Sequence, residues 1–126
     1  MEKLLAVALG GAIGSAGRYL IALIAGGYHT QSFPGGTFLA NLLGCLLIGI
    51  FWSLFERVHI SNEFRLFLFT GFLGGFTTYS TFARETIQLF KMGEHMQAFT
   101  YLAVTNFFGL AMVAIGFVTA HKFFRW

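Results

Sequence analysis

Four long apolar runs alternate with short polar stretches along the chain. They cover about Leu4–Ala25, Thr37–Phe55, Phe64–Phe90 and Gln97–Ala120. Each is close to the roughly 20 residues that a helix needs to cross a bilayer core. The connections are brief. GGYHTQSFPGG (26–36) is turn-rich and holds the only proline, while ERVHISNE (56–63) and KMGEH (91–95) are polar. No convincing internal repeat is present. The pattern predicts an all-α integral membrane protein: a single domain over residues 1–126 with four transmembrane helices.

Composition supports this class. Of the 126 residues, 56% are hydrophobic and 10% charged, against about 25% charged in soluble domains. The mean hydropathy is +0.72. The start, MEKLLAVALGG, resembles a signal peptide, but its apolar run continues without an A-x-A-like stop, so it reads as a retained span. The lone Cys45 excludes a disulfide framework. The net charge of +3 comes from Lys and Arg scattered at segment ends, where they meet lipid headgroups, so no nucleic-acid partner is expected. With the N-terminus inside, Lys3, Arg57, Arg65, Lys122 and Arg125 face Arg18, Arg84 and Lys91 across the membrane. That weak bias permits insertion in either orientation.

Small residues fall at helix-contact spacing. Ala6, Gly10, Gly14 and Arg18 form one stripe, Ala40 and Gly44 a second, Gly71 and Gly75 a third. In lipid, small residues let backbones approach closely. Four short spans leave little room for both a core and a pathway, so any conduction path is expected at or beside an interface between copies.

The polar inventory narrows the function. The chain has no aspartate, and Glu2, Glu56, Glu63, Glu85 and Glu94 are all placed at or beyond span ends. His29, His59, His95 and His121 are also peripheral. A proton-coupled transporter needs a titratable relay at membrane depth, and a cation channel often uses an acidic ring. Neither is expected here. No paired carboxylates, His/Cys metal cluster or nucleophile with a nearby base can be assembled, so no enzyme activity is expected. What remains inside is Arg18, Thr37, Asn41, the hydroxyl cluster at 77–81, Thr105 and Asn106. These groups donate hydrogen bonds. Thr37 and Asn41 lie four apart and share a helix face. Such donors can replace the water around a small anion, and the positive edges of phenylalanine rings add to them. Each also has a structural alternative. Arg18 can snorkel to the headgroups, Asn41 and Asn106 can join helices, and Ser or Thr can bond back to their own helix.

GGFTTYSTF (74–82) sharpens this picture. Gly74-Gly75 followed by Thr77 and Thr78 predicts a break in the third span, or alternatively a close helix crossing. A break frees backbone groups that protein, water or an ion must satisfy.

GGAIGSAGRY (10–19), GTFLANLLG (36–44) and GFLGGFTTYSTF (71–82) together resemble the Fluc family of small fluoride channels, also called CrcB. The similarity spans essentially the whole chain. It implies an antiparallel, dual-topology homodimer in the cytoplasmic (inner) membrane that exports fluoride passively and gives fluoride resistance. It implies a structural sodium ion at the dimer centre, held by the backbone carbonyls of Gly74 and Thr77 from both subunits. It places Asn41, Thr37, Tyr79, Phe82, Ser80, Thr81 and Arg18 along the fluoride path. Three positions depart from the family pattern. Tyr79 stands where phenylalanine is usual, and Leu110 and Ala114 replace hydroxyl residues on the fourth span. The alternatives are one subunit of a heterodimeric channel with an incomplete pore, a small cation or drug exporter, and a non-transporting accessory protein.

Overall fold

The computed structural model describes residues 1–25 and 33–124, which leaves most of the first connection, with His29, and Arg125 outside the description. Its helices are α1 (Glu2–Ile24), α2 (Gly35–Phe55), α3 (Asn62–Arg65), a π-helical segment (Leu66–Leu73), α4 (Gly74–Phe76), α5 (Tyr79–Lys91) and α6 (His95–Phe123). No strand occurs among the described residues. Helices α1, α2 and α6 are each long and apolar enough to cross a membrane. The third apolar run is divided instead into a string of shorter pieces.

The pieces follow from local chemistry. Ser61 caps α3 by accepting from Phe64 N, as an N-cap serine does. The ladder then loosens to the i→i+5 spacing of a π-helix. It tightens again at Gly74, so the glycine pair is helical. The break falls at Thr77 (φ −94°, ψ 158°) and Thr78 (φ −151°, ψ 119°). It therefore lies beyond the glycines that suggested it. β-Branched residues favour extended backbone, whereas the glycines serve a close crossing. A Cβ on Gly75 would stand 2.7 Å from the Gly11 carbonyl oxygen. Crossing and break are both present, a few residues apart.

The small-residue stripes mark the contacts that carry the bundle. Gly10 and Gly14 of α1 sit directly against the backbone of Phe67 and Phe72. Gly49 of α2 meets the Val113 carbonyl, and Gly116 of α6 meets the Leu46 carbonyl. Two helix pairs result, α1 with the π-helical segment and α2 with α6. Arg57, just past α2, ties the second pair's end by donating to the Phe124 carbonyl at 2.9 Å.

The outward faces are apolar. Leu4, Leu9, Ile13 and Leu20 on α1, and Phe107, Leu110, Ile115 and Val118 on α6, are exposed. Such a surface suits lipid or another copy rather than water. Helix α5 differs, because it is amphipathic. It buries Phe82, Thr86 and Leu89 and leaves Arg84, Gln88 and Lys91 exposed. It ends in a turn closed by Gly93 at φ 83°, a left-handed value that favours glycine.

Candidate functional site

The centre of the site is the break. In a continuous helix the Gly74 carbonyl would receive Thr78 N–H, and the Thr77 carbonyl would receive Thr81 N–H. Both donors are diverted. Thr78 N donates to Asn41 Oδ1 at 2.8 Å, and Thr81 N donates to Thr78 Oγ1 at 3.2 Å. The second bond makes Thr78 the N-cap of α5. The carbonyls of Gly74 and Thr77 thereby lose their helical donors. The Gly75 carbonyl is met by Arg18 Nε at 3.2 Å, and the Thr78 carbonyl by Asn41 Nδ2 at 3.1 Å. Thr77 turns its own hydroxyl back to the Leu73 carbonyl at 2.8 Å.

A cavity of about 370 Å³ opens beside the break. Asn41, Thr77, Thr78, Tyr79, Phe82 and Thr105 are among its lining residues, and no acid lines it. Gly74 lines it too. Gly44 brings α2 onto the break, since a Cβ there would collide with Thr77 Cγ2. Thr105 Oγ1 is buried at the lining and has no hydrogen-bond partner. Tyr79 is 79% exposed and Phe82 4%. Their rings meet edge-on at 5.7 Å. The edge-on contacts continue from Phe82 to Tyr101 at 5.0 Å and from Tyr101 to Phe33 at 5.1 Å.

Behind Phe82 lies a second polar cluster. Glu85 accepts from Thr37 Oγ1 at 3.0 Å through one oxygen and from Tyr101 OH at 3.0 Å through the other. Glu85 was expected at a span end. It is instead turned into the bundle, because α5 directs its 78–82–85–86–89 side toward α2 and α6. The hydroxyl proton of Thr37 is committed to this carboxylate.

The family model described as CrcB-like protein, Camphor Resistance (CrcB), matches residues 5–117. The chain belongs to the CrcB family. Its relatives include a protein of Desulfotalea psychrophila, 59% identical over 124 residues, covering 95% of this chain and 93% of the relative. One from Phocaeicola vulgatus is 46% identical, covering 92% and 96%. A third, from Flavobacterium psychrophilum, is 40% identical, covering 97% and 99%. All three are named fluoride-specific ion channel FluC.

Among the residues that the CrcB resemblance picked out, Asn41, Tyr79, Phe82, Gly74 and Thr77 meet at one cavity. Thr37 sits on the far side of Phe82 with Glu85. Ser80 and Thr81 gather around the Thr78 hydroxyl at 3.4 and 3.2 Å. Arg18 is on the α1 side of the break at Gly75. Of the span-four departures, Leu110 is exposed. Asn106, considered as interhelical glue, bonds back to the Leu102 carbonyl of its own helix at 2.7 Å. Thr78, Glu85, Tyr101 and Thr105 were not singled out for the path. An i, i+4 spacing from Tyr101 to Thr105, and from Thr81 to Glu85, was the available signal.

Proposed function

We propose that this chain is a passive fluoride-selective channel that exports fluoride across the cell membrane and so gives fluoride resistance. The observation that carries this reading is the acid-free cavity at the break, where Asn41, Tyr79 and Phe82 converge. Two of its relatives are named fluoride-specific ion channel FluC. Amide and hydroxyl donors with ring edges replace the hydration of a small anion without presenting a competing negative charge. Asn41, Tyr79, Phe82, Ser80 and Thr81 form the path in this reading, and Thr37, its proton held by Glu85, stands behind Phe82. Arg18 supplies a fixed positive charge beside it. Thr105, whose buried hydroxyl lacks a partner, joins them. A χ1 step of about 120° would carry its hydroxyl into the place its methyl now holds.

In the same reading, the third apolar run is a fourth, broken span, and the chain works as an antiparallel homodimer inserted in both orientations. The exposure of Tyr79 and Leu110 at 79% and 75% supports a covering partner there. A sodium ion fits the released oxygens of Gly74 and Thr77, since unwound carbonyls are hard ligands suited to hard cations. It would supply charge that holds two breaks together, each subunit giving the same pair of carbonyls.

Tyr79 lines the cavity beside Phe82, and one chain carries Asn41, Tyr79 and Phe82 together, which favours identical subunits over a non-identical pair. The cation exporter was set aside for want of an embedded acid. Glu85 removes that argument, and family membership replaces it. Both Glu85 oxygens are also occupied by Thr37 and Tyr101.

The test is direct. The purified chain is reconstituted in liposomes loaded with fluoride or chloride, and efflux is read with ion-selective electrodes. Fluoride should leave quickly and chloride should stay. Folded protein that passes no fluoride would overturn the reading.

A further inference from the structure

A second groove lies on the outer side of α5, facing away from the Glu85 cluster. It has a volume of about 740 Å³ and is lined by Ala83, Arg84, Ile87, Gln88, Lys91 and Met92. Three features make it unusual for this chain. Arg84, Gln88 and Lys91 follow one helical stripe at spacings of four and three. No hydrogen bond or ion pair joins Arg84 or Lys91 to another described residue, although the Arg84 charge is felt at Glu85. No acid lines the groove. Glu85, the acid next to Arg84 in sequence, is turned the other way and held by Thr37 and Tyr101.

The depth of the groove is also set. Lys91 is the last residue of α5, next to the turn at Gly93 that leads into α6. In the four-span reading proposed above, on which this inference rests, that turn is a membrane boundary. Arg84 lies seven residues back, roughly 10 Å deeper along the helix. An arginine at that depth extends its guanidinium toward the boundary while its stem stays on apolar surface. Both cations then converge on the headgroup layer. Ile87 and Met92, 58% and 45% exposed, line the same groove. A cationic rim on an apolar floor matches an amphiphile with an anionic head.

We infer that this groove binds one anionic glycerophospholipid, its phosphate between Arg84 and Lys91, Gln88 donating to a headgroup oxygen, and an acyl chain over Ile87 and Met92. A phosphate accepts charge-assisted bonds from both cations. A zwitterionic lipid brings its own cation to the same rim and is disfavoured. The site is separate from the anion cavity, so it stands whether or not the chain conducts fluoride.

The test uses the full chain in mild detergent, titrated with phosphatidylglycerol or phosphatidylcholine and weighed by native mass spectrometry. Phosphatidylglycerol adducts should outnumber phosphatidylcholine adducts. Each cation near the membrane surface contributes roughly fivefold to anionic-lipid binding, so R84Q/K91Q should lose about 25-fold. The control K3Q/R65Q should keep the preference. Equal adducts of the two lipids, or an unchanged preference in R84Q/K91Q, overturns the inference. Soluble glycerol phosphate should fail to compete, and if it displaces the lipid head the groove is a free-anion site. Rapid disulfide formation between copies of Q88C in liposomes would show that a second copy covers this face instead of lipid.

Discussion

Asn41 holds both backbone polar groups of Thr78. Its Oδ1 accepts from Thr78 N at 2.8 Å and its Nδ2 donates to the Thr78 carbonyl at 3.1 Å. A side-chain amide therefore replaces the helical partners that the broken chain has lost. The first of these bonds also strips the Gly74 carbonyl of its donor. One residue thus stabilises the break and exposes the oxygen proposed for sodium. This makes Asn41 more than a lining group.

Asn41→Asp should be severe for that reason. A carboxylate cannot donate to the Thr78 carbonyl and would repel it. The lost and unsatisfied bonds should lower stability by about 1–3 kcal/mol. Fluoride efflux should fall at least about tenfold, equivalent to roughly 1.4 kcal/mol on the barrier. Thermal melting in detergent and electrode-measured efflux check both. Wild-type flux in this variant would remove Asn41 from the path.

Phe82→Ile tests the ring edges. Isoleucine fills much of the volume but deletes the edge-on contacts with Tyr79 and Tyr101. Each such pair contributes about 0.5–1.5 kcal/mol. The protein should stay folded, by melting and size-exclusion profile, while fluoride efflux slows strongly. Undiminished efflux would show that ring edges do not line the path.

Tyr101→Phe and Glu85→Gln separate hydrogen bonding from charge. Tyr101→Phe leaves one part-buried oxygen of Glu85 unmet and should cost about 1 kcal/mol. Glu85→Gln keeps an acceptor for Tyr101 and a donor for Thr37, so its cost should be the smaller of the two. Parallel melting curves decide. The reverse order would mean that the carboxylate's charge, not its two partners, holds the cluster.

Thr105→Val removes a hydroxyl that bonds to nothing in the protein. Stability should be unchanged or slightly higher, because an unpaired buried polar group carries a cost of about 1–3 kcal/mol. Fluoride efflux should nonetheless fall several-fold, and Thr105→Ser should restore it. A loss of stability without a loss of flux would make Thr105 a packing residue.

Gly44→Ala should disturb the break directly. The added methyl collides with Thr77 Cγ2, and Thr77 cannot swing aside while its hydroxyl bonds the Leu73 carbonyl. Efflux should drop. Adding Thr77→Ser removes the obstructing methyl, keeps the hydroxyl bond and should recover most of the activity. Failure of the double variant to recover would place the damage elsewhere in α2.

Much of this was legible in the residue pattern. The apolar runs fixed where helices would form, and the glycine stripes marked the crossings of α1 with the π-helical segment. Asn41 stood out because an amide at that depth needs partners. Other features depended on distant partners and left no local trace. The break slid to Thr77 and Thr78 because Asn41, 37 residues earlier in the chain, supplies the bonds there. Glu85 was assigned to a span end because it follows Arg84 at the charged close of the third apolar run. Only the partners, Thr37 and Tyr101, reveal that its side of the helix faces inward. The π-helical segment has no residue signature at all, since its widened ladder is made by backbone groups.

The bonds between Asn41 and Thr78 also impose an order of assembly. The break cannot complete its own hydrogen bonding, and in the proposed four-span arrangement lipid would offer it none. Its stabilising partner is carried by an earlier helix of the same chain. The segment 62–91 must therefore find α2 before its backbone is fully paired, so the geometry of the break is inherited from a helix that precedes it in the chain.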